Sequence, residues 1–174
     1  LNALVAGPLF GQGAVGLLNW ALNLPTLIAG NALTIFQRVA FPAFARLHDR
    51  QAEREALLQV SMRRLALLVF PLLALLAALG DPIVAHVYGE PWRAALPALA
   101  WWCLRQAAYC VYGPLIWWLN AAGRAREGFR AMLLAALLLI GLALALVPAW
   151  GFTGVAAGMA LGSLALAVVL WASL

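Results

Sequence analysis

Along residues 19–38, NWALNLPTLIAGNALTIFQR, Asn19, Asn23, Thr26, Gly30, Thr34 and Gln37 recur within a largely apolar run in steps of four, three, four, four and three. Such steps trace one face of an α-helix. At ~100° per residue the polar stripe is roughly 80° wide, and most of the remaining circumference is hydrocarbon. The stripe lies in the first of five long apolar runs, at about 14–36, 65–80, 97–119, 131–147 and 155–174. Each comes near the ~20 residues with which a helix crosses a bilayer. Before them Leu1 to Phe10 is too short to span, and GQGAVG (11–16) reads as a glycine-rich turn. Pro25 falls inside the first run, Pro71 predicts a kink in the second, and GDP (80–82), EPWRAA (90–95) and VPAWGFTG (147–154) punctuate the rest. In the charged segment 38–64, Ala56, Leu57 and Val60 oppose Arg54 and Glu55, which predicts an amphipathic helix lying on the membrane surface. The pattern thus predicts an all-α protein: a polytopic transmembrane helix bundle of about five full spans, with an N-terminal stub and an amphipathic interfacial helix, forming a single membrane domain over 1–174.

Composition agrees. The chain has 174 residues, 66% hydrophobic and 10% charged, against about 45–50% and 25% in soluble domains, and its mean hydropathy is +0.96. There is too little charge to cover a soluble surface. All 11 basic residues are arginines, and their placement carries information. Arg38, Arg46, Arg50, Arg54, Arg63, Arg64, Arg124, Arg126 and Arg130 fall in segments 38–64 and 121–130, whereas the alternate loops hold only Arg93. The positive-inside bias then puts 38–64, 121–130 and the C-terminus in the cytoplasm. Arginines spaced between apolar segments, not along one solvated face, argue against nucleic acid as a partner. Cys103 and Cys110 lie two helical turns apart, too far for a disulfide, and read as apolar packing residues. The chain opens on Leu1 without a signal-peptide pattern and ends in an apolar run, as expected of a fragment of a longer membrane protein.

Arg105 is the eleventh arginine, near the middle of ALAWWCLRQAAYCVYGPLIWW. A charge at that depth costs at least ~2.5–3.5 kcal/mol on insertion scales. No acid on the same helix offsets it, so Arg105 either pairs structurally with a carbonyl or an acid elsewhere, or faces an aqueous cavity where its guanidinium can hold an anion in bidentate fashion. Gln106 beside it, and Tyr109 and Tyr112 on its face, suit a site for sugars or a pyrophosphate. The stripe on 19–37 has the same two readings, interhelical hydrogen bonding or the wall of a water-filled path. Its length favours the wall, with Arg38 closing the cytoplasmic end. Asp81 reads as a turn residue. His48 and His86 lie in loops without a Cys, Ser or Glu arranged for catalysis. No Walker, HExxH or GxSxG sequence occurs. No enzyme activity, cofactor or metal is expected.

The stretch GAVGLLNWALNLPTLIAGNALTIFQRVAFPAFARL (13–47) resembles the polysaccharide-biosynthesis flippases (O-antigen and exopolysaccharide, Wzx-type) of the superfamily that also contains multidrug exporters. The matching residues are Gly13, Gly16, Asn19, Ala21, Phe41, Pro42, Phe44 and Leu47, with Leu18 where a tyrosine is usual. The similarity continues through FPLLALLAAL, VYGEPWRAALPAL, AAGRAREGFR and GFTGVAAG. It implies two six-helix lobes around a cavity, of which this chain would be most of the C-terminal lobe, in a bacterial inner membrane. It also implies a polyprenyl-pyrophosphate-linked oligosaccharide as substrate, with the missing N-terminal lobe and the bilayer as partners. The expected function is export of that lipid-linked glycan by alternating access. The alternatives are a multidrug exporter, which should carry a membrane-embedded acid, and a membrane glycan polymerase or ligase, which should carry a large outer loop. The cavity candidates are Arg105, Arg38, Asn19, Asn23, Thr26, Thr34, Gln37, Gln106, Tyr109 and Tyr112.

Overall fold

The structure, a computed structural model, describes the backbone of residues 2–47 and 50–172 and the side chains of residues 10–47 and 50–171. His48 lies outside the described residues. The described chain is helical throughout: α1 (Asn2–Arg46), α2 (Gln51–Ala78), the short α3 (Gly80–Ile83), α4 (Leu96–Ala121), α5 (Ala125–Trp150) and α6 (Phe152–Ala172). Between α3 and α4 the chain makes a π-helical turn (Val84–Tyr88) and a 3-10 turn (Glu90–Ala95).

The glycine-rich turn expected over 11–16 reduces to one residue. Gly11, at φ 78° and ψ 178°, breaks the helical path, and α1 resumes at once and runs to Arg46. Glycine is the residue that takes that φ without steric cost. The lower end of α1 also outlasts the apolar run: Ala40 and Phe44 are buried, so packing carries the helix past Arg38 and through Pro42. The amphipathic segment is likewise not a separate element. It is the first half of α2, because the buried positions Arg54, Leu58, Ser61, Leu65, Val69, Leu73 and Leu76 continue in steps of three and four straight across the point where charge ends. Charge changes at Arg64, but the face that packs does not. The lower part of α1 and the start of α2 thereby form a basic helical hairpin.

Four of the helices are long and apolar enough to cross a membrane: Phe10–Arg46 of α1, then α2, α5 and α6. The fifth expected span is α4, a 26-residue helix whose arginine, glutamine, tyrosines and four tryptophans lower its hydropathy. It can carry them because it is central. Trp102, Gln106, Cys110, Leu115 and Trp118 are among its many buried side chains, and α1, α2 and α6 all pack on it. Cys103 and Cys110 are both buried and unoxidised.

α5 and α6 form the tightest pair. Gly154, Gly158 and Gly162 present bare backbone to α5. A Cβ at Gly154 would come within 2.6 Å of the Leu146 carbonyl oxygen, one at Gly162 within 2.7 Å of the Leu139 side chain, and one at Gly158 would collide with the Ala143 backbone. This is the small-xxx-small solution to membrane helix packing, in which close approach replaces the absent hydrophobic drive. The outer face of α5, including Leu133, Leu134, Leu137 and Leu138, is exposed, as a lipid-facing surface should be.

The two ends of the bundle differ. At one end Trp20, Tyr88 and Trp92 cluster with ring centroids 4.9–6.1 Å apart, and Trp101 meets Trp150 at 5.6 Å. Arg93 there is held by Asp81 and Glu90, each at 3.1 Å. At the other end the guanidinium of the largely buried Arg54 lies 5.2 Å from the Trp118 ring centre, with Arg124 6.0 Å from the same ring. The alternate loops grouped by arginine count in the sequence are therefore grouped at opposite ends in space.

Candidate functional site

Thr26 on α1 and Gln106 on α4 are where the two polar features of the sequence meet. Gln106 Nε2 donates to Thr26 Oγ1 at 3.3 Å, and Arg105 Nη1 donates to Gln106 Oε1 at 3.1 Å. The Thr26 hydroxyl in turn donates to the Leu22 carbonyl at 2.7 Å. A continuous chain of hydrogen bonds thus runs from the guanidinium to the backbone of α1. Gln106 is 2% exposed, so its amide is spent on these two bonds, as a buried amide must be. The register is set by parallel packing: the Gln106–Thr26 bond is matched seven residues on by Gly113, whose missing side chain leaves Leu33 room against α4.

Arg105 itself is half-buried. Its guanidinium carbon lies 5.5 Å from the Trp102 ring centre, and its buried Nε has no hydrogen-bond partner among the described residues. With Nη1 committed to Gln106 and Nε buried, Nη2 is the accessible guanidinium nitrogen left without a bond among the described residues. Tyr109 and Tyr112, one and two turns further along α4, pack with ring centroids 5.1 Å apart and planes tilted by 53°.

On α1, Asn23, Thr26, Gly30 and Thr34 line an open groove of about 470 Å³, joined by Leu27 and Asn31. Thr34 donates to the Gly30 carbonyl at 2.8 Å and Asn31 to the Leu27 carbonyl at 2.9 Å. These back-bonds keep the helix side chains in place and leave oxygens and amides facing outward. Asn19 and Gln37 are exposed at either end of the stripe, and Arg38 is exposed beside Gln37. At a rise of ~1.5 Å per residue, Arg38 lies about 18 Å below Thr26 along α1. The structure therefore brings Arg105, Gln106 and Thr26 into one bonded chain and Asn23, Thr26 and Thr34 into one groove. It places Asn19, Gln37 and Arg38 on the same exposed side without contact to Arg105, and Tyr109 and Tyr112 on α4 below it. Asn31 belongs to the groove and was missed by the stepwise reading. The available signal was its position directly after Gly30, one residue round the helix from the stripe.

A family profile described as polysaccharide biosynthesis protein matches residues 1–97. The chain belongs to that family. Among curated relatives of this polysaccharide-biosynthesis protein, the teichuronic acid biosynthesis protein TuaB of Bacillus subtilis (strain 168) is 35% identical over 100 residues, covering 57% of the chain and 20% of TuaB. The lipopolysaccharide biosynthesis protein WzxC of Escherichia coli (strain K12) is 28% identical over 130 residues, covering 75% of the chain and 26% of WzxC. The chain thus spans about a fifth to a quarter of the length of these relatives. No solved structure matches it. Family and all-helical architecture agree with the expectation from the sequence: the chain is a membrane-spanning member of a polysaccharide-biosynthesis family.

Proposed function

We propose that this chain is part of a flippase, not an enzyme, that carries polyprenyl-pyrophosphate-linked oligosaccharides across a bacterial inner membrane, with the basic end and the C-terminus in the cytoplasm. The observation that carries the proposal is the Arg105–Gln106–Thr26 chain, which ties a cation in the middle of the bundle to an exposed polar groove in a member of a polysaccharide-biosynthesis family. Hydroxyls and amides along α1 offer the paired donors and acceptors that sugars need, while the prenyl tail stays in lipid. Arg105 and Arg38 offset the desolvation of the pyrophosphate, prohibitive for an unpaired ion in low dielectric. The groove is open on this chain. A second lobe facing it completes the cavity, and rocking of one lobe against the other exposes it to each side in turn. The relatives are named for two different glycans, teichuronic acid and lipopolysaccharide. That supports glycan export as the shared theme.

The test uses the full-length protein in cells deleted for their own flippase. The wild type is expected to restore surface polysaccharide. Arg105→Gln, expressed at the same level, is expected to leave lipid-linked repeat units on the cytoplasmic leaflet. Rescue by Arg105→Gln equal to wild type would assign Arg105 a structural role, and failure of the wild type with every glycan supplied would sink the flippase reading itself.

A further inference from the structure

The flank of α1 away from the polar groove carries a second, different groove. At ~100° per residue, Ile35 and Val39 lie nearly opposite the stripe, across the face that packs on α4. With Leu65 and Leu68 of α2 they wall a space of about 310 Å³, and the one charged side chain lining it is Arg64. Ile35, Val39 and Leu68 are exposed, Val39 by 71%. Arg64 is the last charge before the apolar stretch of α2 begins at Leu65, and it is exposed beside this groove. Among the described residues no carboxylate lies in ion-pair range of Arg64, nor of Arg38, Arg46 or Arg63 on the same helical hairpin, whereas Arg50 and Arg124 each have one and Arg93 has two.

Two requirements meet at this place. An apolar groove at membrane depth fits hydrocarbon, and a guanidinium without a counter-ion at the edge of that depth calls for an anionic oxygen. One molecule satisfies both: a lipid with its chain in the groove and its phosphate on the arginine. We propose that the α1–α2 groove binds an anionic phospholipid of the leaflet at the basic end, with the phosphate on Arg64 and an acyl chain along Ile35, Val39 and Leu68. The net positive charge of the surrounding hairpin selects an anionic headgroup over a zwitterionic one. The packed face of α1 separates this lipid from the polar groove, so the site does not depend on the transport reading.

The test is photolabelling. The full-length protein is reconstituted in phosphatidylcholine vesicles containing phosphatidylglycerol with a photoactivatable acyl chain, irradiated, and its adducts mapped by peptide mass spectrometry. Adducts are expected in 32–39 and 65–68. Arg64→Gln is expected to lower them about fivefold, since one arginine near an anionic surface is worth roughly that factor, and Arg64→Lys to retain most of them. Ile35→Trp fills the groove from an exposed position and is expected to remove the adducts with unchanged thermal unfolding. Equal labelling by a photoactivatable phosphatidylcholine, or labelling of Arg64→Gln at the wild-type level, would overturn the proposal. Should Arg64→Gln fail to fold, undiminished labelling of Ile35→Trp has the same force. Displacement of the label by a polyprenyl phosphate would give the groove to a prenyl tail instead and equally refute it.

Discussion

Gln106 is the residue on which the site turns, because both of its polar atoms are committed and it is buried. Gln106→Leu removes the bridge and leaves Arg105 with one donor fewer satisfied in a low-dielectric setting. A stability loss of about 1–3 kcal/mol is expected, read as an earlier thermal unfolding transition in detergent. Gln106→Glu behaves differently. It places a carboxylate beside the guanidinium, so the expected outcome is a protein at least as heat-resistant as wild type that no longer exports, Arg105 being occupied by an internal anion. Export retained in Gln106→Glu would show that Arg105 does not receive the substrate's charge. Arg105 and the stripe were each legible in the sequence, one as a charge in an apolar run and the other as a period. Their junction was not, because Thr26 and Gln106 are 80 residues apart and only the packing register of α1 on α4 brings them together. Asn31 escaped for a related reason: a stepwise template fixes a face by its centre and omits its edge.

Among the elements, the α5–α6 hairpin shows a signal that hydropathy alone passes over. Residues 131–174 contain no charge, and a reading by charge and apolar content divides them at VPAWGFTG without asking which faces meet. The spacing of Gly154, Gly158 and Gly162 by four was visible, and the structure shows its purpose in the contacts to Leu146, Ala143 and Leu139. Gly158→Val should therefore force the helices apart, at a cost of about 3 kcal/mol or more, and lower the yield of folded protein. Gly141→Val on α5 is the matched control, since a Cβ there meets nothing within 4 Å. Its unfolding temperature should stay near wild type, and equal damage from both changes would mean that helix propensity, not close packing, is responsible. The α2 helix teaches the complementary point. Its single buried face from Arg54 to Leu76 was available as a period, but the change from charged to apolar residues at 64–65 suggested a boundary that the packing ignores.

For the whole molecule, the decisive quantity is the asymmetry between the two ends. Arg93 stands against Asp81 and Glu90 at one end, both ion-paired to it. Nine arginines stand at the other, where the described carboxylates are Glu53, Glu55 and Glu127. Folding sharpens this difference, because it neutralises Arg93 and leaves several of the others uncompensated. Positively charged segments resist translocation, so the proposed orientation keeps the basic hairpin and the 121–130 turn on the side of synthesis while the 80–95 turns cross. That orientation also sets the direction of the proposed transport, since Arg38 then waits at the cytoplasmic mouth of the groove where a lipid-linked glycan arrives. Single cysteines test it. With Cys103 and Cys110 replaced by alanine in the full-length protein, Glu90→Cys is expected to react with a membrane-impermeant maleimide in intact cells. Arg126→Cys, exposed at the opposite end, is expected to react only after permeabilisation. The reverse pattern would invert the bundle and place Arg38 on the wrong side to receive substrate. Labelling of both sites in intact cells would mean that the charge difference does not fix orientation.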